Sequence, residues 1–274
     1  MQFLESVKSS KHPVVIGMLH VPALPGAPLF NTSLAEIRER VLLDARRLVE
    51  AGVDALMIEN FGDIPFYAVR VPPETVACLT MLASLVRTTH PAVPLGINVL
   101  RNDGLSAVAI AHATDAAFVR INVLCGARVT DQAVIEGNAH EVLRLRKMLG
   151  AERVQIFADV DVKHSAPLGV GRSIEVEVDD LVHRALADAL IVSGTGTGKA
   201  TDPRKVAVVK AAAGKGVPVF VGSGVTEGSL AELAGHADGF IVGTSLKEGG
   251  ISSAPVDMAR ARRLIEAARG LAKP

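Results

Sequence analysis

Tryptophan is absent from the chain, tyrosine occurs once and cysteine twice. So few large aromatics suit an aliphatic core and offer no stacking surface for nucleic-acid bases. Cys78 and Cys125 belong to no CxxC or Cys/His cluster. A disulfide framework or structural zinc site is therefore not expected, and a reducing, cytoplasmic setting is the simplest. Charge of one sign is missing too: 29 basic residues balance 29 acidic ones. Without a basic face, nucleic acid is not an expected partner. No uncharged apolar run reaches the ~18 residues a spanning helix needs. The start, Met1-Gln2-Phe3-Leu4-Glu5, has no basic-then-apolar signal. Membrane association would be peripheral. No linker, charge block or low-complexity segment divides the 274 residues, so one domain over 1–274 is expected.

Eight short apolar runs are present: Val14–Leu19, Ala55–Glu59, Leu95–Leu100, Ala117–Asn122, Val154–Val160, Ala189–Ser193, Val217–Val221 and Gly239–Val242. Most are continuous rather than alternating, as in strands buried on both faces of a parallel sheet. Helical patterns separate them. Ser33-Leu34-Ala35-Glu36 is a capping box, and Pro72-Pro73-Glu74 opens a helix running to about Thr89. Further starts are read at Asp103, Asn138, Ser173, Asp202-Pro203 and Thr226, and a last helix from about Val256 to Leu271. Strand and helix alternating eight times predicts an α/β fold, a (β/α)8 TIM barrel of the phosphate-binding type, over an open doubly wound sheet. The long connections 61–72, 123–137 and 161–172 would then lie on the active face.

In such a barrel the C-terminal strand ends meet at one mouth. They carry His20; Glu59; Asn98 and Asn102; Arg120 and Asn122; Asp159, Lys163 and His164; Ser193 and Gly194. The last two tips are Gly222-Ser223-Gly224 and Gly243-Thr244. Glycine lets a backbone N–H approach an anion and a hydroxyl adds a donor, so these two tips are expected to grip a phosphate. Thr226 could cap a following helix there. Glu59, Arg120 and Asp159 end apolar runs, where a lone charge costs several kcal/mol. They form either salt bridges closing the mouth or an acid, a base and an anion clamp. On the second reading Glu59 or Asp159 moves protons, while Lys163, Arg120 and Asn122, beside His164, orient the substrate or stabilise an enolate. Lys163 can form a Schiff base, clamp an anion or simply be solvated. His20 is a ligand, an acid/base or a ring satisfied by backbone. Asp63 and Asp103, with Glu59 and Asp159, are the candidates for Mg²⁺, without a recognised metal spacing. Gly194-Thr195-Gly196-Thr197-Gly198-Lys199-Ala200 is no Walker loop, because its first glycine is one residue too close and Ala200 has no hydroxyl.

Several stretches together resemble the BtpA/SgcQ family. They are Gly17-Met18-Leu19-His20, Ile58-Glu59-Asn60-Phe61-Gly62-Asp63, Gly96-Ile97-Asn98-Val99-Leu100-Arg101-Asn102-Asp103, Phe118-Val119-Arg120-Ile121-Asn122-Val123, Phe157-Ala158-Asp159-Val160-Asp161-Val162-Lys163-His164, Val221-Gly222-Ser223-Gly224-Val225 and Ile241-Val242-Gly243-Thr244-Ser245. The resemblance spans nearly the whole chain. It implies a phosphate-binding barrel in a family that includes a peripheral thylakoid protein needed for photosystem I biogenesis. Other bacterial members are linked with sugar phosphotransferase operons. It also implies glycine where this chain has Ala133. The expected function is an enzyme on a small phosphorylated metabolite, a sugar phosphate, by aldolase, epimerase or isomerase chemistry. The alternative is a non-catalytic photosystem I assembly factor. A small phosphorylated substrate and a second copy of the chain are the expected partners.

Overall fold

The computed structural model describes residues 3–170 and 172–274; Met1 and Gln2, in the terminus read above, and Gly171, in the expected 161–172 loop, lie outside them. In chain order the strands are β1 (Val14–His20), β2 (Ala55–Glu59), β3 (Leu95–Asn98), β4 (Phe118–Ile121), β5 (Ala127–Thr130), β6 (Ala133–Glu136), β7 (Gln155–Val160), β8 (Ser165–Pro167), β9 (Ala189–Val192), β10 (Val219–Val221) and β11 (Gly239–Val242). Eight of them close into a parallel barrel, each pairing with its neighbour in the order β1, β2, β3, β4, β7, β9, β10, β11. The eight expected strands are these eight. The barrel is ringed by α2 (Leu34–Ala51), α3 (Pro73–Thr89), α4 (Gly104–Ala113), α5 (Ala139–Met148), α6 (Ile174–Asp179), α7 (Pro203–Ala213), α8 (Leu230–Ala234) and α9 (Met258–Arg269), after a first helix α1 (Phe3–Ser9).

Period-two alternation sorts each strand. Val15, Leu19, Leu56, Ile58 and Val119 point outward and pack with Ile37, Val41, Leu48 and Leu79 of the helices. Ile16, Met18, Met57, Phe118, Phe157, Ile191, Phe220 and Ile241 point into the bore. Three of the rings stack across it, Phe118 on Phe157 at 4.6 Å between centroids and Phe157 on Phe220 at 5.0 Å. The short α1 plugs the N-terminal end: Phe3 stacks on Phe118 at 5.2 Å, and the Leu4 N–H donates to Gln155 Oε1 at 3.2 Å.

Local signals act as expected in most places. Ser33 and Glu36 make both bonds of the capping box. Asp103, Ser173 and Asp202 each accept a backbone N–H at a helix start. Thr226 is a correction: the helix there begins at Leu230 and is five residues long, and Thr226 donates its own N–H to Ser229 Oγ at 2.9 Å. Two of the long connections hold an element with no counterpart in the apolar periodicity. β5 pairs with both β6 and β8 in a small antiparallel sheet at the mouth. Arg128 on β5 ties it to the barrel through Asp161 and through Ser165 Oγ, while Lys205 holds Asp161 from the other side at 2.6 Å.

Candidate active site

The same alternation that fills the bore with apolar side chains sets the mouth. Two residues beyond each inward position comes the next one: His20 after Met18, Glu59 after Met57, Asn98 after Gly96, Arg120 after Phe118, Asp159 after Phe157, Ser193 after Ile191. On the last two strands the same step reaches Gly222 and Gly243. Polar groups from six strands thus converge on two glycine tips.

At the floor of the mouth lies a buried polar network. Arg120 is 3% exposed and grips Asp159 with two donors, Nε to Oδ1 at 2.9 Å and Nη2 to Oδ2 at 2.8 Å. Asn122 Nδ2 donates to the same Oδ2 at 2.8 Å, and Asn98 Nδ2 donates to Asn122 Oδ1 at 3.3 Å and to the Arg120 carbonyl at 3.0 Å. Burial opposes the Arg120 charge, but the Asp159 carboxylate outweighs it and raises the guanidinium above its ordinary value. Asp159 therefore has both oxygens committed. Of the two carboxylates expected to move protons, Asp159 is the one held in this way by Arg120 and Asn122.

Above the network are two adjoining cavities of about 210 and about 570 Å³. They share Glu59, Phe61, Arg120, Lys163 and Thr197 as their common boundary. Glu59 is 6% exposed, and among the described residues its carboxylate has no hydrogen bond or ion pair. Lys163 likewise has none for its ammonium. Burial first, then the Arg120 charge, push the Lys163 amine down to about 8, against the opposing pull of Glu59 and Asp159. A free carboxylate and a lysine that readily gives up its proton, beside a fixed guanidinium, are the means for acid–base work on a bound carbonyl compound.

The smaller cavity is lined by Gly222, Ser223, Gly224, Gly243, Thr244 and Ser245, with Arg260 from α9. Among the described residues the N–H groups of Gly224, Thr244 and Ser245 meet no acceptor. Gly224 takes φ +66°, a left-handed turn that frees its N–H from the ladder. At Gly243 a Cβ would lie 2.7 Å from the His20 ring, so glycine is what admits that ring. His20 stacks on Phe61 at 4.3 Å, and its Nδ1 donates to the Ser252 carbonyl at 2.9 Å, which leaves Nε2 as a lone pair. Burial, against the pull of Glu59, pushes this ring down to about 4, so it is neutral at physiological pH.

Other expected site residues turn inward to the fold. Asn102 holds the backbone of Val123 with both ends of its amide, at 2.8 and 2.9 Å. Asp103 caps α4 and accepts the Val71 N–H; Asp63 accepts from Leu24 N–H and Asn60. These two carboxylates, considered for Mg²⁺, are taken up by such contacts, and among the described residues no group of three or more His, Cys, Asp or Glu could hold a metal. Gly194 gives its N–H to Ser223 Oγ at 3.0 Å, and Ser193 is buried behind it. His164 is exposed at the rim of the larger cavity and accepts the Thr197 N–H at 3.3 Å. Phe61, Arg101, Thr197, Gly198 and Arg260 also line the mouth without having been singled out. Arg101 Nη2 donates to the Lys163 carbonyl at 2.6 Å. Its signal was its place one turn past a strand end; Arg260 sits on a helix far along the chain and gave none.

The sequence profile of the BtpA family matches residues 11–270. An uncharacterized protein of Thermococcus kodakarensis is 48% identical, over 94% of this chain and 95% of its own. The photosystem I biogenesis protein BtpA of Synechocystis is 43% identical, over 95% of this chain and 90% of its own. Among solved structures, N-(5′-phosphoribosyl)anthranilate isomerase from Pyrococcus furiosus superposes with a TM-score of 0.57 at 14% identity, covering 95% of this chain and 100% of that one. At that identity the likeness speaks for the barrel alone.

Proposed function

The chain belongs to the BtpA family, and we propose that it is an enzyme of that family acting on a small phosphorylated metabolite. The reading takes a sugar phosphate with a carbonyl group as substrate and lyase or isomerase chemistry as the reaction. One observation carries it: Glu59 and Lys163, whose charged groups have no hydrogen bond or ion pair among the described residues, stand on the boundary between a narrow cavity lined by N–H donors that meet no acceptor among those residues and a wider one. The phosphate enters the narrow cavity, held by Gly222, Ser223, Gly224, Gly243 and Thr244. The carbon chain crosses the boundary into the wider one. Glu59 removes the proton next to the carbonyl, and the positive charge on Arg120 and on Lys163 or the iminium formed from it offsets the negative charge that develops. The isomerase fold likeness supports the reading at the level of architecture. The test is a thermal-shift screen of phosphorylated sugars and inorganic phosphate, with and without Mg²⁺. A ligand of the folded state raises Tm by mass action. Failure of every phosphorylated compound and of phosphate itself to raise it would sink the reading.

The name of the Synechocystis relative supports a second reading, a peripheral assembly or stability factor for photosystem I that needs no turnover. No helix of the described residues is long and apolar enough to cross a membrane, so such a factor would work from the surface. The two readings part on Glu59→Gln: loss of the chain's in-cell function favours the enzyme, and full retention favours the scaffold.

A further inference from the structure

We propose that Lys163 is a covalent nucleophile, whose amine forms a Schiff base with the carbonyl carbon of a phosphorylated aldehyde or ketone. The inference rests on the phosphate reading given under Proposed function and names the step that follows binding.

Position carries it. Lys163 lies on the boundary shared by both cavities, where the carbon next to a phosphate-bearing end would sit. Its root is held, because Arg101 Nη2 bonds the Lys163 carbonyl at 2.6 Å, while among the described residues its ammonium has no partner. Two permanent cations, Arg101 and Arg120, already serve the same space. A third fixed positive charge would add little to an anion clamp. A neutral amine there adds a nucleophile, and the two guanidiniums favour that neutral form. The charged and titratable groups around it are His20 on β1, Glu59 on β2, Arg101 after β3, Arg120 on β4, Asp159 on β7 and the adjacent His164. With burial first, their balance sets the amine at about 8. About one molecule in ten then carries a neutral amine at pH 7, against about one in three thousand for an ordinary lysine.

The step balances. The Nζ lone pair attacks the carbonyl carbon, and the C=O π pair moves to oxygen. Glu59, whose carboxylate is free on the same boundary, takes a proton from nitrogen and returns it to that oxygen. The resulting hydroxyl leaves as water with one further proton from solvent, and the nitrogen lone pair closes the C=N bond. One amine, one carbonyl and one proton give one iminium and one water.

Pyridoxal 5′-phosphate, which joins an aldehyde and a phosphate, is the first probe; dihydroxyacetone phosphate and glyceraldehyde 3-phosphate follow. The full chain is incubated with each, reduced with borohydride, digested and mapped by mass spectrometry. The expected result is reduction-trapped adduct on Lys163 ahead of every other lysine. Its rate should rise with pH through a midpoint near 8 and fall at least severalfold when inorganic phosphate is added. Lys163→Arg and Lys163→Met should both lose the adduct, and Lys163→Arg should keep its thermal shift with inorganic phosphate. Labelling spread evenly over surface lysines, or a midpoint near that of free lysine, would overturn the proposal. Stabilisation by phosphate without an adduct at Lys163 removes the Schiff base and leaves phosphate binding intact. An adduct at Lys163 that phosphate neither slows nor competes with supports the nucleophile and counts against the narrow cavity as the phosphate site.

Discussion

At the N-terminal end of the barrel, Phe3, Phe118, Phe157 and Phe220 stack across the bore and the short α1 seals it. At the C-terminal end, two residues further along the same strands, stand Arg120, Asp159 and Gly222. One end is filled, the other is left with a free carboxylate and a free amine beside two cavities. The same backbone and the same alternation serve both. What differs is whether the inward side chains satisfy one another. Where they do, the end holds the molecule together; Glu59 and Lys163, without partners among the described residues, are where the fold gives up stability and where the proposed ligand would bind.

The largest expected effect is at the filled end. Phe157 stacks with Phe3, Phe118 and Phe220, and Phe157→Ala would leave a gap among these rings. A loss of about 3–5 kcal/mol is expected in urea unfolding. Below the lowered midpoint, stabilisation by inorganic phosphate should persist. Loss of phosphate binding in the folded variant would show that the two ends are not separable.

The contrast sharpens within the mouth, where two carboxylates, on β2 and on β7, have opposite fates. Asp159→Ala strands the buried Arg120 guanidinium, and breaking such a pair costs about 3–5 kcal/mol. Glu59→Gln removes a buried charge with no hydrogen-bond or ion-pair partner among the described residues, so it should not lower stability. On the proposed function its turnover should nonetheless fall about 10²–10⁴-fold once a substrate is in hand. Equal destabilisation by the two substitutions would mean that Glu59 has a structural partner after all.

The barrel was legible because eight apolar runs with caps and prolines between them leave few alternatives, and the strand bounds found from sequence differ from the structure by two residues at β3 and β10, by one at an end of β1, β7 and β9, and by one at both ends of β4. The mouth was legible as a list, since ends of strands must meet there. What sequence does not carry is the pairing within the list. Glu59 and Asp159 look alike as a carboxylate ending an apolar run; only the register of β4 beside β7, which puts Arg120 opposite Phe157, sets Asp159 within reach of the guanidinium. Asn102, Asp63 and Asp103 look equally available, yet they are spent on backbone N–H groups of neighbouring loops. The small β5–β6–β8 sheet escaped because its strands, no shorter than several of the barrel, are largely exposed and carry no long apolar run.

His20 offers a smaller and pH-dependent test of the mouth. Its ring takes a proton only below about 4 in the folded chain, against 6.5 for an ordinary histidine. Between those values the unfolded chain binds more protons, so folding stability should fall as pH drops from 6.5 towards 4 and level off below. In His20→Gln that part of the limb should flatten, as read from denaturation midpoints across the range. An unchanged slope would mean that the ring is protonated in the folded chain and that Nε2 is not the lone pair facing the cavity.

The smallest expected effect belongs to the β5–β6 hairpin, in the small sheet at the mouth. Family resemblance implies glycine at 133, and the structure shows why: Ala133 takes φ +82°. The turn leaves it little choice. Thr130 Oγ1 donates to the Ala133 carbonyl at 3.0 Å and accepts the Gln132 N–H at 3.1 Å, which fixes the four residues in a tight loop. An L-residue with a Cβ pays about 1–2 kcal/mol in this region. Glycine relieves that cost but returns about 0.4–1 kcal/mol through the greater freedom of the unfolded chain. Ala133 is exposed, so its methyl adds no packing to the balance. Ala133→Gly should therefore stabilise the protein by about 0.5–1 kcal/mol in chemical denaturation, without altering phosphate binding in the narrow cavity. A destabilised variant would mean that the hairpin holds this turn through something other than Thr130, and that the strain at Ala133 is supported from the mouth itself, where Asp131 and Gln132 line the wider cavity.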